Sequence, residues 1–283
     1  MENDLPTYRR TPSEDLSNRL GRPLFRWLYP FYRSYPYSGR TSLYQVEHRG
    51  AYSPDDGFFY NRVPKAANTS VSHMLASHST YSRPRPGAGT MGRMLRPQLM
   101  TTAQVADIGT DAVFKFTVVR NPYTRVLSAY RSKILTARKP VRLHRFAAMM
   151  GTDRAAPPDF TTFCRFLANG GVWRDAHWAP QTELMLLPLR MFDFIGHVES
   201  LDEDVVTIAR RIWGPDVAVD FKRQGRRTDV TQPVEHDYTP EAIEIVARLY
   251  ADDFSAFGYS TDFEHRRAAP AGWVASSEQT PLR

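Results

Sequence analysis

The chain has 283 residues, of which 42% are hydrophobic and 24% are charged, and this composition predicts a globular protein with a core of its own. Its formal net charge of +7 favours an anionic partner, a class that includes nucleotides, acidic glycans, nucleic acids and membrane surfaces. No apolar run of about 18 residues is present, so we expect no transmembrane helix, and residues 1–4 lack a signal-peptide pattern. Cys164 is the single cysteine, which excludes an intrachain disulfide and is typical of a reducing compartment.

Residues 1–50 are rich in arginine, tyrosine, proline and serine, and this composition predicts an extended arm. An apolar patch at residues 24–28 is expected to dock on the body of the protein, with contact to a membrane as the alternative. We therefore divide the chain into an arm over 1–50, a domain over 51–265 and a tail over 266–283 that is predicted to be disordered.

A strand, a tight loop and a helix are predicted in succession over residues 58–79. The aromatic and β-branched run at 58–63 is typical of a buried strand, and Pro64 closes it because proline cannot donate to a sheet. Helical spacing of apolar residues begins at Val71, after three residues that can each cap a helix. Such a turn directs backbone N–H groups and a helix dipole at one point, which favours a bound phosphate or sulfate. The residues of this predicted anion loop are Lys65, Ala66, Ala67, Asn68, Thr69 and Ser70.

The loop is not a Walker A motif, because no glycine lies between Val63 and Ser70. The small side chains of Ala66 and Ala67 leave room for a ligand beside the backbone. The alternative interpretation is an ordinary turn between a strand and a helix, with Lys65 on the surface.

A second buried strand is predicted over residues 112–119, and it ends at Arg120. Pro122 suits the first turn of a helix, so a helix is expected to follow directly. An arginine at the carboxyl end of a parallel strand points into the crevice where α/β sheets bind ligands, and Ser128 on the helix can add a hydroxyl to the same anion. The alternative is an arginine that caps carbonyl groups and a serine that fills a helix surface.

The remaining pattern continues the alternation of helices and strands. Further elements are predicted as helices over 101–108, 160–168 and 201–213 and from Thr239 onwards, and as a strand over 192–198. Basic irregular segments occupy residues 80–100, 138–158 and 222–229. We expect the first two of these segments to contact the acceptor substrate, and the second to be a mobile insertion.

Three blocks stand in one order along the chain: residues 63–70, residues 119–130 with the pattern R-N-P-x-x-R-x-x-S, and residues 177–199 with H-W-A-P-Q and a later Glu199. Together they resemble the carbohydrate sulfotransferases that include the chondroitin 4-O- and HNK-1 enzymes, over roughly residues 58–260. The resemblance implies the sulfotransferase version of the P-loop NTPase-like α/β sandwich, with a central parallel sheet. It also implies 3′-phosphoadenosine 5′-phosphosulfate (PAPS) as the donor and a hydroxylated acceptor, expected to be a glycan.

The resemblance also implies roles for individual residues. Lys65 and the loop to Ser70 match the family's loop for the 5′-phosphosulfate, and Arg120 and Ser128 match its site for the 3′-phosphate. The block that begins at Asp253 matches a family motif that we interpret as packing and not as chemistry.

Two features depart from the Golgi members of that family. Those members begin with a membrane anchor, for which this sequence offers no candidate, and they tend to carry cysteines where residues 185–188 stand here. Both departures argue against a Golgi enzyme and against a chondroitin-type acceptor, so we expect a cytoplasmic location.

The chemistry of sulfuryl transfer fits these residue types. The reaction needs a held donor, an in-line acceptor and cations on the leaving group, and it demands no metal. The runner-up function is a P-loop-type nucleotide kinase, and a basic nucleic-acid-binding module is the third. Missing loop glycines disfavour the kinase, and the absence of a stacking motif among the basic loops disfavours nucleic acid.

The acceptor hydroxyl must lose a proton, which calls for a general base. His177 is the first candidate because it lies in a short irregular stretch inside the shared block, where functional residues concentrate. The alternatives are that His177 only bonds a backbone carbonyl, and that Glu183 is the base.

Overall fold

The structure is a computed structural model that describes residues 21–79, 94–135, 157–219, 221 and 234–270. Its four-stranded sheet has the order β1 (Gly50–Ser53), β2 (Phe58–Asn61), β3 (Phe114–Val119) and β4 (Phe194–His197). The β1 strand is antiparallel to β2, whereas β2, β3 and β4 run parallel. The predicted central parallel sheet is therefore confirmed, and β1 is an edge strand that the sequence analysis did not predict.

The three parallel strands are the predicted aromatic and β-branched runs, shortened at their ends. Phe58 pairs with Phe114 and Phe116 with Phe194, so the carboxyl ends of these strands meet at one edge of the sheet. Every residue of β2 is buried, as both faces of a parallel sheet require. This edge is where the loops after β2 and β3 come together.

Nine α-helices with defined bounds surround the sheet within the described ranges. They are α1 (Pro30–Ser34), α2 (Leu43–Glu47), α3 (Asn68–His78), α4 (Thr102–Ile108), α5 (Pro122–Tyr130), α6 (Phe160–Ala168), α7 (Leu201–Trp213), α8 (Pro240–Leu249) and α9 (Ala251–Ala256). A further segment, residues 21–28, is also helical. Side-chain caps begin α6 and α8: Asp159 accepts a hydrogen bond from the Thr162 N–H at 2.7 Å, and Thr239 accepts one from the Ala242 N–H at 3.2 Å.

The helices form two layers on opposite sides of the sheet. A large core unites α5, α6 and α8 and includes Tyr123, Phe163 and Val246, while a smaller core joins α3 and α7 through Leu75 and Val205. Cys164 is fully buried in the larger core, and burial raises the pKa of its thiol. A buried free thiol of this kind packs as a small hydrophobic residue.

The N-terminal segment differs from the expected extended arm. Residues 30–34 and 43–47 are helical, and Phe31 is fully buried with its ring stacked on Phe59 at a centroid distance of 5.8 Å. Aromatic residues spaced along these short helices reach the core, which explains why a segment of loop-like composition is ordered here. In the apolar patch, Phe25 packs on the core while Trp27 is 74% exposed.

The structure describes only part of the predicted basic segments and of the predicted tail. Of the predicted acceptor segments, residues 80–93 of the first and residues 138–156 of the insertion at 138–158 lie outside the described residues. The same holds for the basic loop at 222–229 and for residues 1–20 and 271–283. Arg266 is buried and pairs with Glu235, so the expected disorder does not extend to the first residues of the tail. Within the described part of the chain, no helix is both long enough and apolar enough to cross a membrane.

Candidate active site

The loop after β2 has an unusual backbone. Lys65 and Ala67 adopt positive φ angles of 69° and 51°, in the left-handed region that residues other than glycine rarely occupy. Each such residue costs on the order of 1–3 kcal/mol, and residues of this kind cluster at ligand sites. The N-cap of α3 is Ala67, and not Asn68, Thr69 or Ser70 as predicted, so its methyl group leaves the first N–H groups of the helix to other acceptors.

Lys65 projects from this loop towards the end of α5. Its half-buried ammonium donates a hydrogen bond to the Ser132 hydroxyl at 2.8 Å. Burial, together with the charges of Arg120, Lys133 and Arg125, lowers the pKa of Lys65 to about 8. Several cations therefore converge on one point, which favours the binding of an anion.

Arg120 follows the end of β3, as predicted, and lies against the same loop. Its Nη1 atom donates to the Lys65 carbonyl oxygen at 3.3 Å, and its Nε donates to the Thr124 hydroxyl at 2.9 Å. No carboxylate among the described residues forms an ion pair with this guanidinium, although Glu199 lies close enough to oppose the lowering of its pKa by burial. The side chain of Gln181 brackets the Arg120 backbone with bonds of 2.9 Å to its N–H and 2.8 Å to its carbonyl.

Ser128 lies on α5 between these two contacts. Thr124, Ser128 and Ser132 recur at intervals of four residues, a spacing that places side chains on one helix face. Thr124 bonds Arg120 and Ser132 bonds Lys65, so this hydroxyl face is turned towards the anion loop. Ser128 is 92% buried, with 8% of its surface exposed, and the structure brings it to the same side of the site as the two cations.

Arg125 organises the site, and the sequence analysis assigned it no role. It is fully buried and donates to the carbonyl oxygens of Pro64 at 3.0 Å, Ala179 at 2.8 Å and Ala176 at 3.2 Å. One guanidinium thereby fastens the anion loop to the segment that carries His177. The available signal was its place as the second arginine of the R-N-P-x-x-R-x-x-S pattern.

Asp253 supports the same segment from beneath and was expected only to pack. It is fully buried, and its carboxylate accepts from the N–H groups of Gln181 at 2.7 Å and Thr182 at 2.9 Å. Burial raises the pKa of Asp253, and the charge of Arg125 and these hydrogen bonds oppose the rise. Because Gln181 in turn holds Arg120, Asp253 positions the arginine through one intermediate residue.

His177 forms a close pair with Asp175. Its Nδ1 atom lies 2.5 Å from the Asp175 carboxylate, which also accepts the His177 N–H at 2.9 Å. Burial lowers the pKa of His177, and the Asp175 carboxylate opposes this without reversing it. The neutral ring that donates from Nδ1 keeps an acceptor lone pair on Nε2, which is the arrangement of a general base held by a carboxylate. The partner of Nδ1 is this carboxylate, and not a backbone carbonyl as the alternative interpretation of His177 expected.

Glu183, the alternative base, faces the N-terminal segment. Its carboxylate accepts a hydrogen bond from the Arg40 N–H, and its carbonyl accepts one from the Tyr37 hydroxyl at 2.8 Å. These contacts give Glu183 a structural partner and no link to the cations of the loop. Among the described residues, no three histidine, cysteine or acidic side chains are grouped as metal ligands, and the expected absence of a metal stays a prediction.

The residues of this site lie within a region that is similar to a known protein family. The model of the sulfotransferase family matches residues 49–260, which include the anion loop, α5 and the His177 segment. The chain belongs to the sulfotransferase family. The family membership inferred from the three sequence blocks is thereby confirmed, together with the α/β fold that it implied.

Individual carbohydrate sulfotransferases are similar to part of this sulfotransferase. Carbohydrate sulfotransferase 14 of Danio rerio is 32% identical over 160 residues, which are 52% of this chain and 44% of the relative. Carbohydrate sulfotransferase 10 of Homo sapiens is 28% identical over 167 residues, or 52% of this chain and 47% of the relative. The match thus spans less than half the length of these curated relatives, and no solved structure matches the chain significantly.

Proposed function

We propose that this sulfotransferase moves the sulfuryl group of PAPS to a hydroxyl group of a glycan. The observation that carries the proposal is the contact of Arg120 with the Lys65 carbonyl, which sets two cations side by side. Neither cation forms an ion pair with a carboxylate in the described ranges. A nucleotide with an anionic group at each end of its ribose matches this pair, because each cation then gains its own counter-charge. The relatives named above are carbohydrate sulfotransferases, which supports a glycan acceptor.

The residues fit the two ends of the donor in different ways. Lys65 and the first N–H groups of α3 suit the 5′-phosphosulfate, because both offer donors to an anion. Arg120 and Ser128 suit the 3′-phosphate, with a guanidinium for a charge-assisted contact and a hydroxyl on the adjoining helix face. The rest of the predicted anion loop supplies backbone groups and side chains of modest size, from Ala66, Ala67, Asn68 and Thr69.

The transfer itself follows from these positions. A bond forms between the acceptor oxygen and sulfur while the bond from sulfur to the phosphate oxygen breaks, so the leaving group is 3′-phosphoadenosine 5′-phosphate (PAP). Lys65 stabilises the negative charge that grows on the bridging oxygen. The Nε2 atom of His177 takes the proton of the hydroxyl, and Asp175 stabilises the imidazolium that forms.

A transfer assay with labelled PAPS tests the function. The protein is incubated with PAPS labelled on sulfur and a panel of neutral and acidic glycans, beside Lys65→Ala and the exposed control Arg210→Ala. We expect labelled product from the wild type and from Arg210→Ala, and product at a rate about 10²- to 10³-fold lower from Lys65→Ala.

Competition for immobilised PAP separates the alternatives. PAPS should release the protein, whereas ATP and RNA should not. Release by ATP with phosphate transfer would support the nucleotide kinase, and release by RNA alone would support the nucleic-acid-binding module; either would overturn the proposal. The cytoplasmic location inferred from the sequence stays a prediction.

A further inference from the structure

Two arginines lie side by side at the end of the β1–β2 hairpin. Arg49 directly precedes β1 and Arg62 directly follows β2, and the Arg62 N–H donates to the Arg49 carbonyl at 2.8 Å. Both side chains are half-buried. Arg62 also lies three residues before Lys65, so the pair adjoins the start of the anion loop.

The same hairpin end is joined to the His177 segment. The Gln45 side chain donates to the Arg174 carbonyl at 3.1 Å and accepts from the Ala176 N–H at 2.9 Å, so it holds both sides of Asp175. Gln45 is in α2, only four residues before Arg49. On the other side, Arg125 ties Ala176 to Pro64, as described above. The arginine pair and the candidate base therefore belong to one set of interlocked segments.

These arginines have few partners of their own. The Nε atoms of Arg49 and Arg62 are buried and make no hydrogen bond. Within the described chain, neither side chain forms an ion pair, and Arg62 reaches only the His48 carbonyl. Glu47, whose charge acts on Arg62, contacts the His48 ring at 2.6 Å. Half-buried guanidinium groups whose Nε donors have no protein partner gain from a bound anion, so this pair is suited to bind one.

The pKa values of these side chains agree with two cations held close together. Burial and the charge of Arg49 lower the pKa of Arg62 to about 10, as expected for two cations held together. Burial also lowers the pKa of Arg49, while the nearby Asp175 carboxylate opposes the change. The charge of Arg49 in turn contributes to the low pKa of His177. Arg49 is thus within electrostatic reach of both members of the His177–Asp175 pair.

We propose that Arg49 and Arg62 form an acceptor subsite that binds a carboxylate or sulfate ester of an anionic saccharide, next to the hydroxyl that His177 deprotonates. The inference rests on the proposed function for the identity of that hydroxyl, but the subsite itself rests on the arginine pair. A guanidinium matches either oxyanion with two parallel hydrogen bonds, whereas a neutral sugar would leave the two charges unpaired. The subsite therefore selects acidic acceptors over neutral ones.

Direct binding tests the subsite without any transfer. Calorimetry at about 0.15 M salt, where the Debye length is about 8 Å, compares short hyaluronan fragments, dextran sulfate and neutral dextran in the presence of PAP. The wild type should bind at least one of the two polyanions more tightly than dextran. Comparing hyaluronan with dextran sulfate shows whether the subsite prefers a carboxylate or a sulfate ester. Arg49→Gln should weaken that binding by about 10- to 100-fold, and Arg49→Lys should weaken it less.

The control is Arg210→Gln, which removes one exposed charge on α7 and should bind polyanions like the wild type. Unchanged PAP affinity of Arg49→Gln would show that this variant is folded. Equal affinity of the wild type for polyanions and dextran, or equal loss in Arg49→Gln and Arg210→Gln, would overturn the subsite.

Rates distinguish this result from a failure of the proposed function. With PAPS as donor, the ratio of kcat/KM for hyaluronan fragments to that for their carboxyl-reduced counterparts should fall in Arg49→Gln and stay constant in Arg210→Gln. If no acceptor is sulfated but polyanion binding still depends on Arg49, the proposed function fails and the subsite stands. If both acceptors are sulfated with a ratio that Arg49→Gln leaves unchanged, the subsite fails and the function stands.

Discussion

The Nη1 atom of Arg120 lies 3.3 Å from the carbonyl oxygen of Lys65, although 55 residues separate the two in the sequence. The contact joins the ends of two neighbouring parallel strands, so the sheet brings the predicted 5′ and 3′ sites of the donor together. This adjacency is what makes one nucleotide with two anionic groups a suitable ligand.

Lys65→Ala should lower kcat by about 10²- to 10³-fold, because one donor to a developing oxyanion contributes about 2.7–4 kcal/mol. PAP affinity should change less than turnover, since the charge that Lys65 meets grows in the transition state. Single-turnover transfer measures the effect, with Ser132→Ala as a control that removes the hydroxyl partner of Lys65 and keeps the ammonium. Near-normal turnover in a folded Lys65→Ala variant would contradict the assignment.

The low pKa of Lys65 predicts proton uptake on binding. With a pKa of about 8, roughly half of the free protein has lost this proton at pH 8, whereas nearly all of it is protonated at pH 6. A bound anion favours the ammonium and raises its pKa, so PAP binding should take up part of a proton at pH 8. Calorimetry in buffers of different ionisation enthalpy measures the uptake, and Lys65→Gln should abolish the part due to the lysine. Identical uptake in Lys65→Gln would place the cation elsewhere.

His177→Ala should lower turnover by about 10²-fold or more and leave PAP affinity nearly unchanged. Only the neutral ring can accept a proton, so activity should fall as the pH drops through the pKa of His177, which lies below its ordinary value of 6.5. Asp175→Asn removes a charge that raises this pKa, so the acid limb of the pH–rate profile should move to still lower pH as kcat falls. Glu183→Gln serves as the comparison; a loss of the acid limb in that variant, with a normal His177→Ala enzyme, would reassign the base.

Arg125 is predicted to stabilise the fold as well as to organise the site. Arg125→Met leaves the carbonyl oxygens of Pro64, Ala176 and Ala179 buried without this donor, which should lower the free energy of unfolding by on the order of 3 kcal/mol. Urea unfolding measures the change, with the exposed Arg210→Met as the control. A change in the free energy of unfolding below about 0.5 kcal/mol, the range of ordinary surface substitutions, would argue against this role.

The sequence was sufficient to predict the parallel strands and the strand-end positions of Lys65 and Arg120, because local pattern and the geometry of α/β sheets determine both. It missed β1, whose sequence Gly-Ala-Tyr-Ser has one large apolar side chain and none of the β-branched residues that are typical of strands. It also missed the helical N-terminal segment, because aromatic residues such as Phe31 reach the core only through tertiary packing.

The residues that support the site, Arg125 and Asp253, were harder to predict than the candidate binding residues Lys65 and Arg120. Arg125 acts on carbonyl groups more than 50 residues away in the sequence, and Asp253 acts on backbone N–H groups about 70 residues away. Neither contact leaves a local spacing in the sequence. A buried polar residue of this kind becomes recognisable only when the fold shows which backbone groups need a partner.

The most direct test of the account is a calorimetric comparison of PAP with 5′-AMP, which lacks the 3′-phosphate. The wild type should prefer PAP, Arg120→Ala should lose most of that preference, and Ser128→Ala should lose less, because the arginine contact is charge-assisted. The expected loss for Arg120→Ala is about 10- to 100-fold in PAP affinity, with 5′-AMP affinity nearly constant. If the wild type bound 5′-AMP as tightly as PAP, the Arg120–Ser128 pair would not be a 3′-phosphate site and the assignment of PAPS as the donor would be wrong.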